Sequence, residues 1–162
     1  MSITLHEVLQ SEKDVLRNFY SLYLHDLSKF TSTLEISEEG YFEFDGFEKF
    51  WEVEGIVPYF IKLEERIIGF ILLLERPFLK ALNDFGINDI FILNKYKGKG
   101  LGREAVKQLF KEKPGKYFVM ELIDNQPAVS FWKKLYSELD IQYEEKEDHI
   151  DDEPCLIQTF VV

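Results

Sequence analysis

One cysteine (Cys155) and three histidines (His6, His25 and His149) are all that this 162-residue chain contains of either residue. A lone cysteine excludes an internal disulfide and any cysteine-cluster metal site, and histidines so far apart in sequence give no metal-ligand spacing, so no metal is expected. No run of about 18 apolar residues exists, so no membrane-spanning helix is expected. No signal peptide opens the chain, which therefore reads as soluble and cytoplasmic. Internal repeats and low-complexity linkers are missing too, leaving one domain over residues 1–162 with one core. Basic charge is scarce: 19 Lys and Arg stand against 30 Asp and Glu, a net of −11. That balance argues against nucleic acid as a partner. The Walker pattern GxxxxGK[ST] and the dinucleotide pattern GxGxxG are both absent, which excludes the usual nucleotide loops.

The scarce basic charge is concentrated in one place. From Lys95 to Lys116 there are eight basic and two acidic residues, a net of +6, so the rest of the chain carries −17. Inside this island lies Lys97-Gly98-Lys99-Gly100-Leu101-Gly102, preceded by the apolar stretch Ile87–Leu93 and followed by Leu101, Ala105, Val106, Leu109 and Phe110 at helical spacing. A strand, a glycine turn and a helix start in this order leave backbone N–H groups uncovered and attract anions, phosphate above all. The same stretch also reads as a tight strand-to-helix turn with a solvated lysine face.

The glycine turn resembles the acetyl-CoA loop of the GNAT N-acetyltransferases, [RQ]xxGx[GA], with Lys97 where that family usually has Arg or Gln. Downstream, Asn125-Gln126-Pro127-Ala128-Val129-Ser130-Phe131-Trp132 is similar to the family's NxxAxxFY helix. Together the two motifs cover about Ile87 to Leu135. The N-terminal half resembles one bacterial subgroup of largely unassigned substrate through Leu22–Ser28, Trp51, Pro58–Ile61 and Gly69-Phe70.

The remaining pattern gives the other elements. Ile3–Val8 reads as a strand, and Ser11 with Asp14 as a capping-box variant opening a helix to about Phe30. Thr31–Gly55 is acidic, aromatic and irregular, suited either to packing its rings on the domain or to holding a cation. Val57–Leu63 and Arg66–Leu74 form a hairpin, with a bulge or a close backbone approach at Gly69. Pro114-Gly115 stops the second helix, Lys116–Ile123 is the next strand, and Asp124 or Asn125 caps a helix to about Tyr136. Ile141–Glu147 and Leu156–Val162 close the sheet around an acidic turn, Glu144–Glu153.

The resemblance implies an α/β GNAT fold: a mixed, mostly antiparallel sheet whose two central parallel strands, Ile87–Leu93 and Lys116–Ile123, splay apart, with flanking helices. It implies acetyl-CoA as co-substrate. The turn Lys97, Gly98, Lys99, Gly100, Leu101, Gly102 and Arg103 would hold its pyrophosphate. Phe91, Ile92 and Leu93 would pair with its pantetheine arm, and Asn125, Ala128, Phe131 and Trp132 would line the arm's far side. It also implies an amine acceptor, a small molecule or a peptide, drawn by Tyr23, Tyr41 and Trp51 with the acidic segment around them. Transfer to an amine needs a base, an oxyanion donor and a proton for the sulfur. Asp89, the carboxylate of its strand, is the candidate base, or else a structural hydrogen-bonding residue or one that points away from the cleft, with a carboxylate of Thr31–Gly55 acting through water as the alternative base. A backbone N–H near Ile92 or Leu93 is the candidate oxyanion donor. Trp132 stands where the family usually supplies a tyrosine acid, and an indole cannot give up a proton in this way. Tyr136, one helical turn along, is the candidate replacement or a core residue. The competing function is a catalytically silent acyl-CoA-binding module of the same fold, as monomer or homodimer.

Overall fold

The structure, a computed structural model, describes residues 2–162. Its strands are β1 (Ile3–Glu7), β2 (Ile56–Leu63), β3 (Arg66–Glu75), β4 (Phe85–Ile92), β5 (Lys116–Leu122), β6 (Tyr143–Ile150) and β7 (Glu153–Val161). The helices are α1 (Lys13–Leu27), α2 (Leu101–Glu112) and α3 (Gln126–Glu138). One sheet in the order β1-β2-β3-β4-β5-β7-β6 holds all seven strands, and every neighbouring pair is antiparallel except β4 and β5. This is the mixed, mostly antiparallel α/β architecture expected from the sequence. The parallel pair is short. Phe85, Gly86 and Ile87 match Tyr117, Phe118 and Val119, and beyond them β4 and β5 part.

Two cores cover the two faces. On one, Ala105, Val106 and Leu109 of α2 and Trp132, Leu135 and Tyr136 of α3 pack on Ile71, Leu73, Ile87, Tyr117 and Phe160. On the other, Leu16, Tyr20 and Leu24 of α1 join Phe42, Phe47, Phe50, Phe60, Phe70 and Phe91. The aromatic part of the acidic segment therefore serves as lid to the second core. It contains a short 3-10 turn, Phe47–Phe50, in which both rings are buried.

Local chemistry explains where the elements begin and end. The first long helix starts later than expected. A 3-10 turn, Gln10–Glu12, precedes it, and the Glu12 carboxylate, not Ser11, accepts the Leu9 N–H at 3.0 Å. Asn125 caps α3, its Oδ1 accepting the Ala128 N–H at 3.3 Å, with a proline in the first turn. The expected acidic turn Glu144–Glu153 is mostly strand. Only Asp151 and Asp152 turn, at φ of 52° and 65°. β6 is an edge strand whose carboxylates face solvent, so its charge is compatible with pairing on one side.

Two bulges shape the middle of the sheet. Ile61 pairs with Gly69 while Lys62 pairs with Ile67, leaving Ile68 as the extra residue. A Cβ on Gly69 would overlap the carbonyl oxygen of Phe91, so the close approach expected there exists. Leu72 and Leu73 pair with Asp89 and Ile87, which makes Asn88 the extra residue on β4. Ile87 thus packs into the core under α2 and α3, while Asp89, two residues on, is turned to α1.

Candidate active site

The fork between β4 and β5 opens a chain of cavities. The glycine turn lies at one end, beside a pocket of about 700 Å³ lined by Ile92, Lys97 to Arg103, Ala128, Phe131 and Trp132 among others. Gly98 and Gly100 both take φ of 76°, and Gly100 is the N-cap of α2 with no side-chain cap. The left-handed backbone lets the chain enter the helix with its first N–H groups uncovered. A Cβ on Gly100 would meet the Arg103 guanidinium at 2.7 Å. Arg103 itself bridges the pocket mouth to Glu138 of α3, at 3.1 and 3.0 Å. Lys97 turns the other way, with its ammonium 3.4 Å from Asp26 and above the Phe91 ring.

Phe91, Leu93 and Asn125 lie outside this pocket. Phe91 and Asn125 line a neighbouring cavity of about 520 Å³ with Tyr23, Asp26 and Lys97. The Leu93 N–H is engaged by the Ile68 carbonyl at 2.8 Å, which removes it as an oxyanion donor. Because strand amides alternate in direction, those of Ile90 and Ile92 face the fork instead.

At the heart of the fork is a smaller cavity of about 190 Å³, lined by Tyr23, Asn88, Asp89, Met120, Glu121, Asn125, Trp132 and Cys155 among others. Asp89 is buried and fully held: Tyr20 donates to Oδ2 at 2.9 Å, Asn88 to Oδ2 at 3.1 Å, and Tyr23 to Oδ1 at 2.9 Å. Burial raises its pKa above the usual aspartate value, although the three donors pull the other way. Burial and the adjacent carboxylate hold both phenols well above the ordinary tyrosine value, so they remain donors. The spacing of Tyr20 and Tyr23 on α1 brings both hydroxyls to one side of the helix.

Glu121 faces the same cavity from β5 and was missed by sequence reasoning. It is 6% exposed, and neither carboxylate oxygen has a hydrogen-bond partner among the described residues. Burial raises its pKa to about 7; the Gln158 amide and Lys133 lower it, and Glu145 raises it. Gln158, though close enough to act on Glu121, donates its hydrogen bond to Glu145 at 3.0 Å and accepts one from Tyr136 at 3.2 Å. The signal was available: Tyr117, Val119 and Glu121 form the buried alternation of β5.

Three expected site residues stand elsewhere. The Tyr136 hydroxyl is buried against Gln158 and its ring stacks on Trp132, away from the cavity lining; burial pushes its pKa far up. In this geometry the Tyr136 hydroxyl donates to Gln158 and not into the fork. Trp51 directs its indole N–H to the Val8 carbonyl at 3.1 Å and packs on Phe47 and Phe50. The Tyr41 hydroxyl donates to its neighbour Glu43 at the surface. Neither Trp51 nor Tyr41 reaches the fork, because the acidic segment folds onto the α1 core.

Residues 18–136 match the sequence model of the acetyltransferase (GNAT) family. No curated protein matches the chain. Among solved structures, an acetyltransferase from Thermus thermophilus superposes at a TM-score of 0.72 and 14% identity, over 100% of this chain and 98% of that one. The aminoglycoside acetyltransferase AAC(6')-Ib in complex with coenzyme A gives 0.69 and 17%, over 99% and 95%. A protein assigned as a streptothricin acetyltransferase from Bacillus anthracis, in complex with acetyl coenzyme A, gives 0.58 and 17%, over 100% and 99%. At these identities the likeness carries the fold.

Proposed function

This chain belongs to the acetyltransferase (GNAT) family, and from that membership we propose that it transfers the acetyl group of acetyl-CoA directly to a primary amine of a small molecule or to an exposed amino group. The observation that carries the reading is the continuity of the fork. An uncapped helix start with two left-handed glycines opens at one end, and a cavity holding two buried carboxylates lies at the other. The residues present suit the donor. The N–H groups at the start of α2 are placed for a pyrophosphate, and Lys99 and Arg103 add positive charge beside them. Ile92, Ala128, Phe131 and Trp132 offer an apolar wall for the pantetheine arm. Bound there, acetyl-CoA supplies an activated carbonyl at the fork.

Each residue then has a distinct task. Asp89, held by Tyr20, Tyr23 and Asn88, is the carboxylate on the β4 wall that draws in the acceptor's ammonium group. The Ile92 N–H donates to the carbonyl oxygen as charge develops on it. Trp132 excludes water from the fork. Two of the structural neighbours are in complex with coenzyme A or acetyl coenzyme A, and two carry the names of aminoglycoside and streptothricin acetylation, which supports this donor and an amine-bearing acceptor.

Thermal stability measured with acetyl-CoA, CoA and ATP, each titrated alone, tests the donor. Ligand at about a hundredfold over its Kd adds about 2.7 kcal/mol, a rise of a few degrees for a chain this size. Acetyl-CoA and CoA should shift the midpoint and ATP should not; equal shifts, or none, would reduce the turn to a general anion site. Release of free CoA thiol across a panel of amines then separates an enzyme from a silent binding module.

A further inference from the structure

We propose that Glu121 is the catalytic carboxylate that takes the proton from the acceptor's ammonium group, while Asp89 holds that group in place. The inference rests on the acetyl-transfer reading above and adds the identity of its base. β4 and β5 last pair at Ile87 and Val119; Asp89 and Glu121 each stand two residues beyond that pair. They flank the fork from its two strands, and both line the small cavity.

Their hydrogen bonding divides the work. Asp89 has three donors, which favour its anion against the opposing effect of burial and leave one acceptor site for the ammonium group. Glu121 has none among the described residues, although it is buried, the nearby Gln158 amide being bonded to Glu145. A buried carboxylate without a partner costs stability, and so calls for an explanation in ligand or chemistry. A cationic amine entering between the two walls supplies the missing partner. Protonation near neutral pH suits the task, because a base works best when its pKa lies near the working pH. The charged and titratable groups around Glu121 are Asp89 from β4, Tyr23 from α1, Lys133 and Tyr136 from α3, Glu145 from β6 and Cys155 from β7. Of these, Lys133 lowers the Glu121 pKa and Glu145 raises it.

One N–H proton of the ammonium passes to a Glu121 oxygen and later to solvent. The freed nitrogen lone pair forms the N–C bond to the acetyl carbon. The C–S bond breaks with its electron pair going to sulfur. A second proton leaves the nitrogen as the amide forms and ends on that sulfur, giving the free thiol, and the third stays on the amide nitrogen. No tyrosine acid is required, which fits the Trp132 substitution and the buried Tyr136.

Two measurements test this. In the ligand-free protein, the carboxyl-carbon NMR signal of Glu121, assigned by its loss in Glu121→Gln, should titrate with a midpoint near pH 7; a midpoint near 4.5 would overturn the assignment. In turnover with an accepted amine, Glu121→Gln should lower kcat/KM by about 10²- to 10³-fold near pH 8 and remove the acid limb of the pH profile. CoA affinity should stay within about threefold, since Glu121 does not line the donor pocket. Glu121→Asp should keep a limb and part of the rate. Asp89→Asn should raise the KM for the amine and retain the limb. Wild-type turnover with Glu121→Gln equally active, or with CoA affinity lost in parallel, would sink this inference alone. A wild type that binds CoA but acetylates no amine would sink the function reading and this inference with it.

Discussion

Replacing Glu121 with glutamine should make the protein more stable at neutral and alkaline pH and leave it unchanged in acid. The side chain is 6% exposed, lacks hydrogen-bond partners, and has its pKa raised by burial from 4.5 to about 7. A raised carboxyl pKa means that the folded state binds the proton more tightly than the unfolded state does. Its contribution is therefore complete below about pH 4.5 and is lost as pH rises through about 7. At about 1.4 kcal/mol per pH unit, the gap between 4.5 and about 7 corresponds to about 3–4 kcal/mol. The fork opens to solvent, and screening there trims the expected effect to about 2 kcal/mol. Urea unfolding of wild type and Glu121→Gln at about pH 4, 5, 6, 7 and 8 measures it. The difference between the two should grow from near zero to about 2 kcal/mol in favour of the variant, most of it between about pH 5 and 7. Asp89 drifts in the same direction in both proteins and cancels in the difference. A difference that is constant with pH, or that favours wild type at pH 8, would show that Glu121 is satisfied in the fold and refute the reasoning.

Gly69→Ala should cost about 1–3 kcal/mol or prevent folding, because the added methyl overlaps the Phe91 carbonyl; a fall in the thermal midpoint of several degrees checks it. Gly100→Ala should weaken CoA binding by about tenfold while the fold persists, since φ of 76° strains an alanine and its methyl displaces the Arg103 guanidinium; isothermal titration reads the change. Tyr136→Phe should lower stability by about 1–2 kcal/mol, by leaving the Gln158 oxygen without its donor, yet keep turnover within about threefold of wild type; a larger loss of rate would return Tyr136 to the chemistry.

Much of the fold was legible because local chemistry and tertiary structure agree. The glycine turn, the α2 stripe and the Asn125 cap are each determined within a few residues, and each stands where its pattern placed it. Element ends were less legible where a tertiary partner decides them. Glu12 takes the capping role from Ser11 by reaching back to Leu9, and its carboxylate is also 3.2 Å from His6 on β1. The end of β6, Asp148–Ile150, reads as part of an acidic turn because nothing in those residues reports that β7 will pair along the whole strand. Tyr41 and Trp51 looked like ligands for a cation; the demand of the α1 core for ring area outweighed the pull of the neighbouring carboxylates.

The chemistry of the fork was half legible for a more specific reason. Alternation along β5 is unbroken, so Tyr117, Val119 and Glu121 can be assigned to one buried face from sequence, and a carboxylate on that face is a recognisable anomaly. Alternation along β4 is broken at Asn88, and from sequence alone Asp89 belongs on the face of Ile87, under α2 and α3. The bulge reverses that assignment and delivers Asp89 to Tyr20 and Tyr23. It also uncouples the two carboxylates: one is turned into a set of donors on α1, and the other remains on the α3 side of the sheet without any. A regular β4 would leave both on the same face as two repelling charges with shared surroundings. The extra residue lets one fork hold a carboxylate bound by three donors and another left without them, and the proposed division between holding and deprotonating the ammonium group rests on that asymmetry.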